Sequence, residues 1–104
     1  MAQEIDVRRA AKVDGNHEEI VDALRAVGAH VTSLAAVHGG CPDLLVSRAA
    51  RWYVIEVKDC SQPPSARLLT PDQKRWHAAA QAPVHVANSV SDALAIIGCG
   101  PKAA

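Results

Sequence analysis

The chain has 104 residues, 49% of them apolar, with 11 basic and 11 acidic side chains and a formal net charge of zero. This composition supports one packed domain and excludes a disordered chain. No apolar run is long enough to span a membrane, and the N-terminus lacks the apolar core of a signal peptide. There is no Phe, so the core must be built from Val, Leu, Ile and Ala. Cys41, Cys60 and Cys99 are an odd number without paired spacing, which predicts a reduced, cytoplasmic setting.

Residues 1–13 mix charges and short side chains without clear periodicity and read as an N-terminal arm or edge strand. Residues 16–27 read as a helix. Asn16 is placed to cap it, Glu19 stands at the third helical position and Gly28 ends it. Ile20, Val21, Leu24 and Val27 form its apolar stripe, while Glu18, Asp22 and Arg25 fall on the wet face. Glu19 lies on the flank and is the acid able to reach toward a sheet. Strands are predicted over 30–36, 43–47 and 52–58, with a Gly-Gly-Cys-Pro loop at 39–42 and a turn at 48–51. Residues 59–69 hold Pro63-Pro64 and read as a loop. Thr70-Pro71-Asp72-Gln73 starts a second helix, to about 81, with Thr70 as cap and Gln73 closing a capping box. A fourth strand over 84–87 precedes a helix capped by Ser89 that ends at Gly98. The tail from 99 to 104 is expected to be mobile. The order is α-β-β-β-α-β-α: an α/β fold with a mixed four-stranded sheet flanked by helices, and one domain over 14–98.

Alternate side chains of a strand share a face, so Glu56 and Lys58 point one way while Ile55 and Val57 point into the core. If Asp43 lies beside Glu56, two carboxylates and one amine converge. That constellation suits a hard divalent cation such as Mg²⁺ or Mn²⁺ and the hydrolysis of a phosphodiester, whose negative charge repels hydroxide. Lys58 would add positive charge beside the nucleophile. Residues 1–43 carry seven acids and four bases, net −3, and residues 44–104 carry four acids and seven bases, net +3. A bound cation would offset Glu19, Asp43 and Glu56, so neutral charge leaves a nucleic-acid partner open.

The element order, with Glu19-Ile20, Gly40-Cys41-Pro42-Asp43-Leu44-Leu45-Val46, Ile55-Glu56-Val57-Lys58, and Leu69-Thr70-Pro71-Asp72-Gln73 with Trp76, resembles the PD-(D/E)XK nuclease superfamily. More narrowly, it resembles the small virus-type replication-repair nuclease family (VRR-NUC), found as stand-alone phage proteins and fused to larger repair enzymes. The resemblance implies a restriction-endonuclease-like core. It implies that Asp43, Glu56 and the Val57 carbonyl bind the metal, that Glu19 adds a carboxylate, that Lys58 orients or activates the attacking water, and that Gln73 organises the site. It also implies branched DNA such as a Holliday junction as substrate, a homodimer, and a phage or prophage origin.

Each residue also has a plainer reading. Glu56 and Lys58 would fit a surface salt-bridge ladder, Asp43 a turn, and Glu19 and Gln73 the third position of a capping box. Trp76 reads as core rather than as a stacking platform, and Cys41 as a small filler. His38 with Cys41, Cys60 and His77 lack the spacing of a zinc site. Arg48, Arg51, Arg67, Lys74 and Arg75 are the candidate phosphate contacts. The rival functions are a nuclease-fold module that binds DNA or a partner without cutting, and a sequence-specific restriction-type endonuclease.

Overall fold

The computed structural model describes residues 15–99. The arm predicted over 1–13 and the tail beyond 99 lie outside the described residues. The elements run α1 (His17–Ala26), β1 (His30–Ser33), β2 (Leu44–Arg48), β3 (Arg51–Val57), a 3-10 turn (Pro64–Arg67), α2 (Pro71–Ala79), β4 (His85–Ala87) and α3 (Val90–Ile96). The sheet order is β1-β2-β3-β4. β1 and β3 flank β2 antiparallel, and β4 pairs with β3 in parallel after the α2 crossover.

One sheet face carries Val31, Leu44, Val46, Ile55, Val57 and Ala87, all buried. Ile20, Val21 and Leu24 of α1, with Ala93 of α3 and the following Ile97, close the core over that face. The opposite face carries Glu56 and receives α2 through Gln73, whose Nε2 donates to Glu56. The layer arrangement follows from the period-2 pattern of β2 and β3 and the apolar stripe of α1.

Three local expectations change. Asn16 sits at the α1 N-cap without a side-chain capping bond. Its Nδ2 donates instead to the carbonyls of Lys58, 3.0 Å, and Asn88, 3.1 Å, tying the helix start to the ends of β3 and β4. β1 stops at Ser33 rather than 36, because a turn closes with Val37 N–H donating to Leu34 O. The loop before α2 contains the short 3-10 turn. The β2–β3 turn falls where predicted, on Ala49 and Ala50, both at positive φ. That matches a two-residue hairpin with alanines in place of the usual Asn and Gly.

Candidate active site

Asp43 immediately precedes β2. Continuing the β2–β3 register by one residue past Leu44↔Ile55 sets Asp43 opposite Glu56, and by two sets Pro42 opposite Val57. Proline has no N–H, so the Val57 carbonyl cannot take a ladder bond from Pro42. The Val57 N–H donates to Asp43 Oδ2 at 2.7 Å. Asp43 thus completes the strand pairing with its side chain.

Glu56 is 2% exposed and Lys58 7% exposed. This burial removes the reading of a solvated surface ladder, since exposed ion pairs do not sit inside a packed layer. Gln73 joins them: its Oε1 accepts from Lys58 Nζ at 2.9 Å, and its Nε2 donates to Glu56 Oε2 at 3.1 Å. The same Oε1 accepts from the Thr70 N–H at 2.9 Å, while Thr70 Oγ1 accepts from the Gln73 N–H at 3.1 Å. The capping box forms as predicted, and its glutamine also bridges the acid and the amine. The capping-box reading of Gln73 holds, and the same side chain contacts both Glu56 and Lys58.

Gln73→Glu isolates this bridge. A carboxylate keeps the bonds from Thr70 and Lys58 but cannot donate to Glu56, and it faces Glu56 with like charge. The expected loss is about 1.5–3 kcal/mol of stability, the worth of a hydrogen bond to a charged group, read as a shifted denaturant midpoint.

The inner stripe of α2 is Gln73, Trp76 and His77, continued by Ala80 at the C-cap, at i, i+3, i+4 and i+7, all half-buried. No residue of this helix is fully buried. It is held to the sheet by polar bonds and close backbone contact more than by apolar burial. Trp76 lies on this stripe rather than in the buried core cluster. His77, which the sequence reading did not select, places Nε2 3.7 Å from Glu56 Oε1. Its spacing of four from Gln73 was the available signal.

Burial holds the His77 pKa below its ordinary 6.5, and the positive Lys58 adds to the effect. Below about pH 6.5 the unfolded chain then binds a proton that the folded chain does not, so stability falls as pH drops toward the folded value. His77→Gln is expected to flatten that part of the pH profile, measured by urea unfolding in metal-free buffer at several pH values.

Glu19 is exposed and lines a cleft of about 550 Å³, with Asn16, Asp59, Cys60 and Ser89 among its walls. Asp43, Glu56 and Lys58 do not border that cleft. Among the described residues, no group of three or more His, Cys, Asp or Glu side chains is placed to hold a metal ion. The donors that do come together, Asp43 and Glu56 with the adjacent Val57 carbonyl, are hard oxygens and fit Mg²⁺ or Mn²⁺, which retain several waters. Burial pushes the Cys41 thiol up, reinforced by the negative Glu56 and Asp43, so it remains a neutral filler beside the acids.

Of the candidate phosphate contacts, Lys74 and Arg75 are exposed on α2 next to Gln73, with Arg75 paired to Asp72. Arg67 is half-buried in the 3-10 turn. Arg48 and Arg51 lie at the other end of the hairpin, where Arg48 Nε donates to Val27 O at 3.2 Å. The structure does not bring these two to the carboxylates.

A mixed sheet that sets a Pro-Asp beside a Glu-x-Lys strand end, with a helix glutamine across both, is the arrangement of a nuclease-type domain. A solved VRR-NUC domain superposes on the chain with a TM-score of 0.56 and 28% identity, over 78% of this chain and 88% of that one. The chain is similar to that VRR-NUC domain in fold and in sequence. No family model and no curated protein matches it.

Proposed function

We propose that the chain is a metal-dependent deoxyribonuclease that hydrolyses phosphodiester bonds in branched DNA such as Holliday junctions. The observation that carries this reading is the buried Glu56–Gln73–Lys58 bridge beside Asp43. A buried acid and amine are a burden on a fold that only needs to bind DNA. Asp43, Glu56 and the Val57 carbonyl would hold the cation, with Glu19 of α1 as a further carboxylate. A bound divalent ion supplies Lewis-acid polarisation of the phosphate and a lowered pKa of bound water.

The chain's own residues do the positioning. Lys58 Nζ is fixed by Gln73 and keeps two donor hydrogens for the phosphate and the attacking water. The water oxygen bonds to phosphorus and gives up a proton to solvent, one phosphorus–oxygen bond to the sugar breaks, and the leaving oxygen takes up a proton from solvent. Gln73 keeps Glu56 and Lys58 in one geometry throughout, which limits the reorganisation required. In this reading the unit is residues 14–98, of phage or prophage origin, acting inside the cell. A homodimer would place two such sites on two strands through two-fold symmetry. Among the described residues, no helix is long and apolar enough to cross a membrane.

The test is a cleavage panel of four-way junction, flap, splayed arm, linear duplex and single strand, each with Mg²⁺, Mn²⁺ and EDTA. Metal-dependent cutting with a junction preference is the expected result. Discrete cuts in linear duplex would favour a restriction-type enzyme. Tight junction binding without cutting under either metal would favour the non-cleaving module.

A further inference from the structure

Trp52 is 69% exposed, the most exposed large apolar side chain among the described residues. It lies on β3 with Val54 and Glu56, on the face away from the core. Four residues of strand separate it from Glu56, about 13 Å at ~3.3 Å per residue. At ~3.4 Å per nucleotide along a duplex strand, that is about four nucleotides.

Two clefts flank Trp52. One, of about 410 Å³, is lined by His30, Ser47, Arg48 and Arg51 among others. The other, of about 520 Å³, is lined by Arg51, Tyr53, Pro83 and His85 among others. Neither has a carboxylate in its wall. β4 begins at His85 opposite Ile55, so β3 from Arg51 to Val54 has no strand on that edge. By the alternation of the ladder, the backbone N–H groups of Trp52 and Val54 point to this open edge.

An exposed indole, a neighbouring arginine and open N–H donors suit a polyanion with flat rings. A second copy of the chain suits the surface less well. An isologous contact pairs the patch with itself, and this patch offers no carboxylate to meet its own arginines.

We propose that Trp52 and Arg51 form an accessory nucleotide platform, in which Trp52 stacks on an unpaired base and Arg51 holds the adjoining phosphate, about 13 Å along β3 from the reaction centre. This rests on the nuclease reading and extends it: the platform would hold a nucleotide that is unpaired, or becomes unpaired on binding, at a branch point near the cut.

Trp76→Phe leaves Trp52 as the sole tryptophan. In EDTA and low salt, an oligothymidine of about ten nucleotides is expected to quench its fluorescence saturably. Trp52→Ala is expected to weaken binding about 5- to 100-fold, with Trp52→Phe restoring most of it. Arg51→Gln should lower the salt slope of binding by about one. Absence of quenching together with unchanged affinity in Trp52→Ala overturns the platform. So does a Trp52→Ala variant that dissociates a dimer in sedimentation without altering oligonucleotide affinity. The parent protein separates the two readings. If it binds and cuts while Trp52→Ala matches it, only the platform falls. If it neither binds nor cuts any DNA, the nuclease reading falls and takes the platform with it.

Discussion

Asp43→Asn is expected to lower metal-dependent cleavage by about 10²–10³-fold, the usual cost of removing one preorganised electrostatic contact, while leaving the melting temperature nearly unchanged. The reason lies in the two roles of Asp43. Its negative charge belongs to the proposed cation site, and its Oδ2 accepts the Val57 N–H at 2.7 Å. An asparagine oxygen still accepts that bond, so the strand end stays closed. Asp43→Ala removes both roles. It leaves the N–H of a fully buried residue without its acceptor, at about 1–3 kcal/mol. At about 4–8 °C per kcal/mol for a domain of this size, the melting temperature should fall visibly. Junction binding should survive in Asp43→Asn, read by gel shift in EDTA. Cleavage by Asp43→Asn at the parental rate would remove Asp43 from the site.

Gly40→Ala is expected to have the largest effect outside the charged residues. Gly40 has φ +85, a region costly for side chains bearing Cβ. A Cβ there would also strike the Asp72 carbonyl group and lie 2.7 Å from the Gln73 nitrogen. These are backbone atoms in the first turn of α2 and cannot swing aside. Strain and overpacking together are expected to cost about 2–5 kcal/mol. If the helix start yields instead, Gln73 moves with it and the bridge to Glu56 and Lys58 opens. Cleavage should then fall along with stability, whereas Gly28→Ala, with positive φ but open space around its Cβ, should affect stability alone. A Gly40→Ala protein with parental melting temperature and parental cleavage would show that the glycine loop does not set the position of α2.

These two residues also mark what could be read from the sequence. The Thr70–Gln73 capping box was legible because its signal is local, four residues long, and its bonds form within one helical turn. The convergence of Asp43 with Glu56 was legible as a condition, since strand alternation fixes faces but not register. The register itself came from a hairpin whose Ala49-Ala50 turn lacks the usual residues. Asn16 misled, because its cap competes with tertiary carbonyls of Lys58 and Asn88 that only the folded chain brings near. Glu19 stands exposed on the wall of a cleft that also holds Asn16 and Asp59, and its helix-flank position marks that exposure in the sequence. His77 went unselected, although it stands one turn beyond Gln73, because a histidine in a polar helix carries no local mark of burial. The close approach of Gly40 to Asp72 spans thirty-two positions, and composition showed only that a loop would be there.

The hydrogen bond from the Val57 amide to Asp43 has a practical consequence. An amide proton donated to a carboxylate is shifted in NMR spectra by the charge on that carboxylate. With valine-selective ¹⁵N labelling, the Val57 resonance becomes a built-in probe of whatever happens at Asp43. Titration with Mg²⁺, with Mn²⁺ as a paramagnetic counterpart, or with an uncleaved junction could be followed at that single atom, in a protein that need never turn over its substrate.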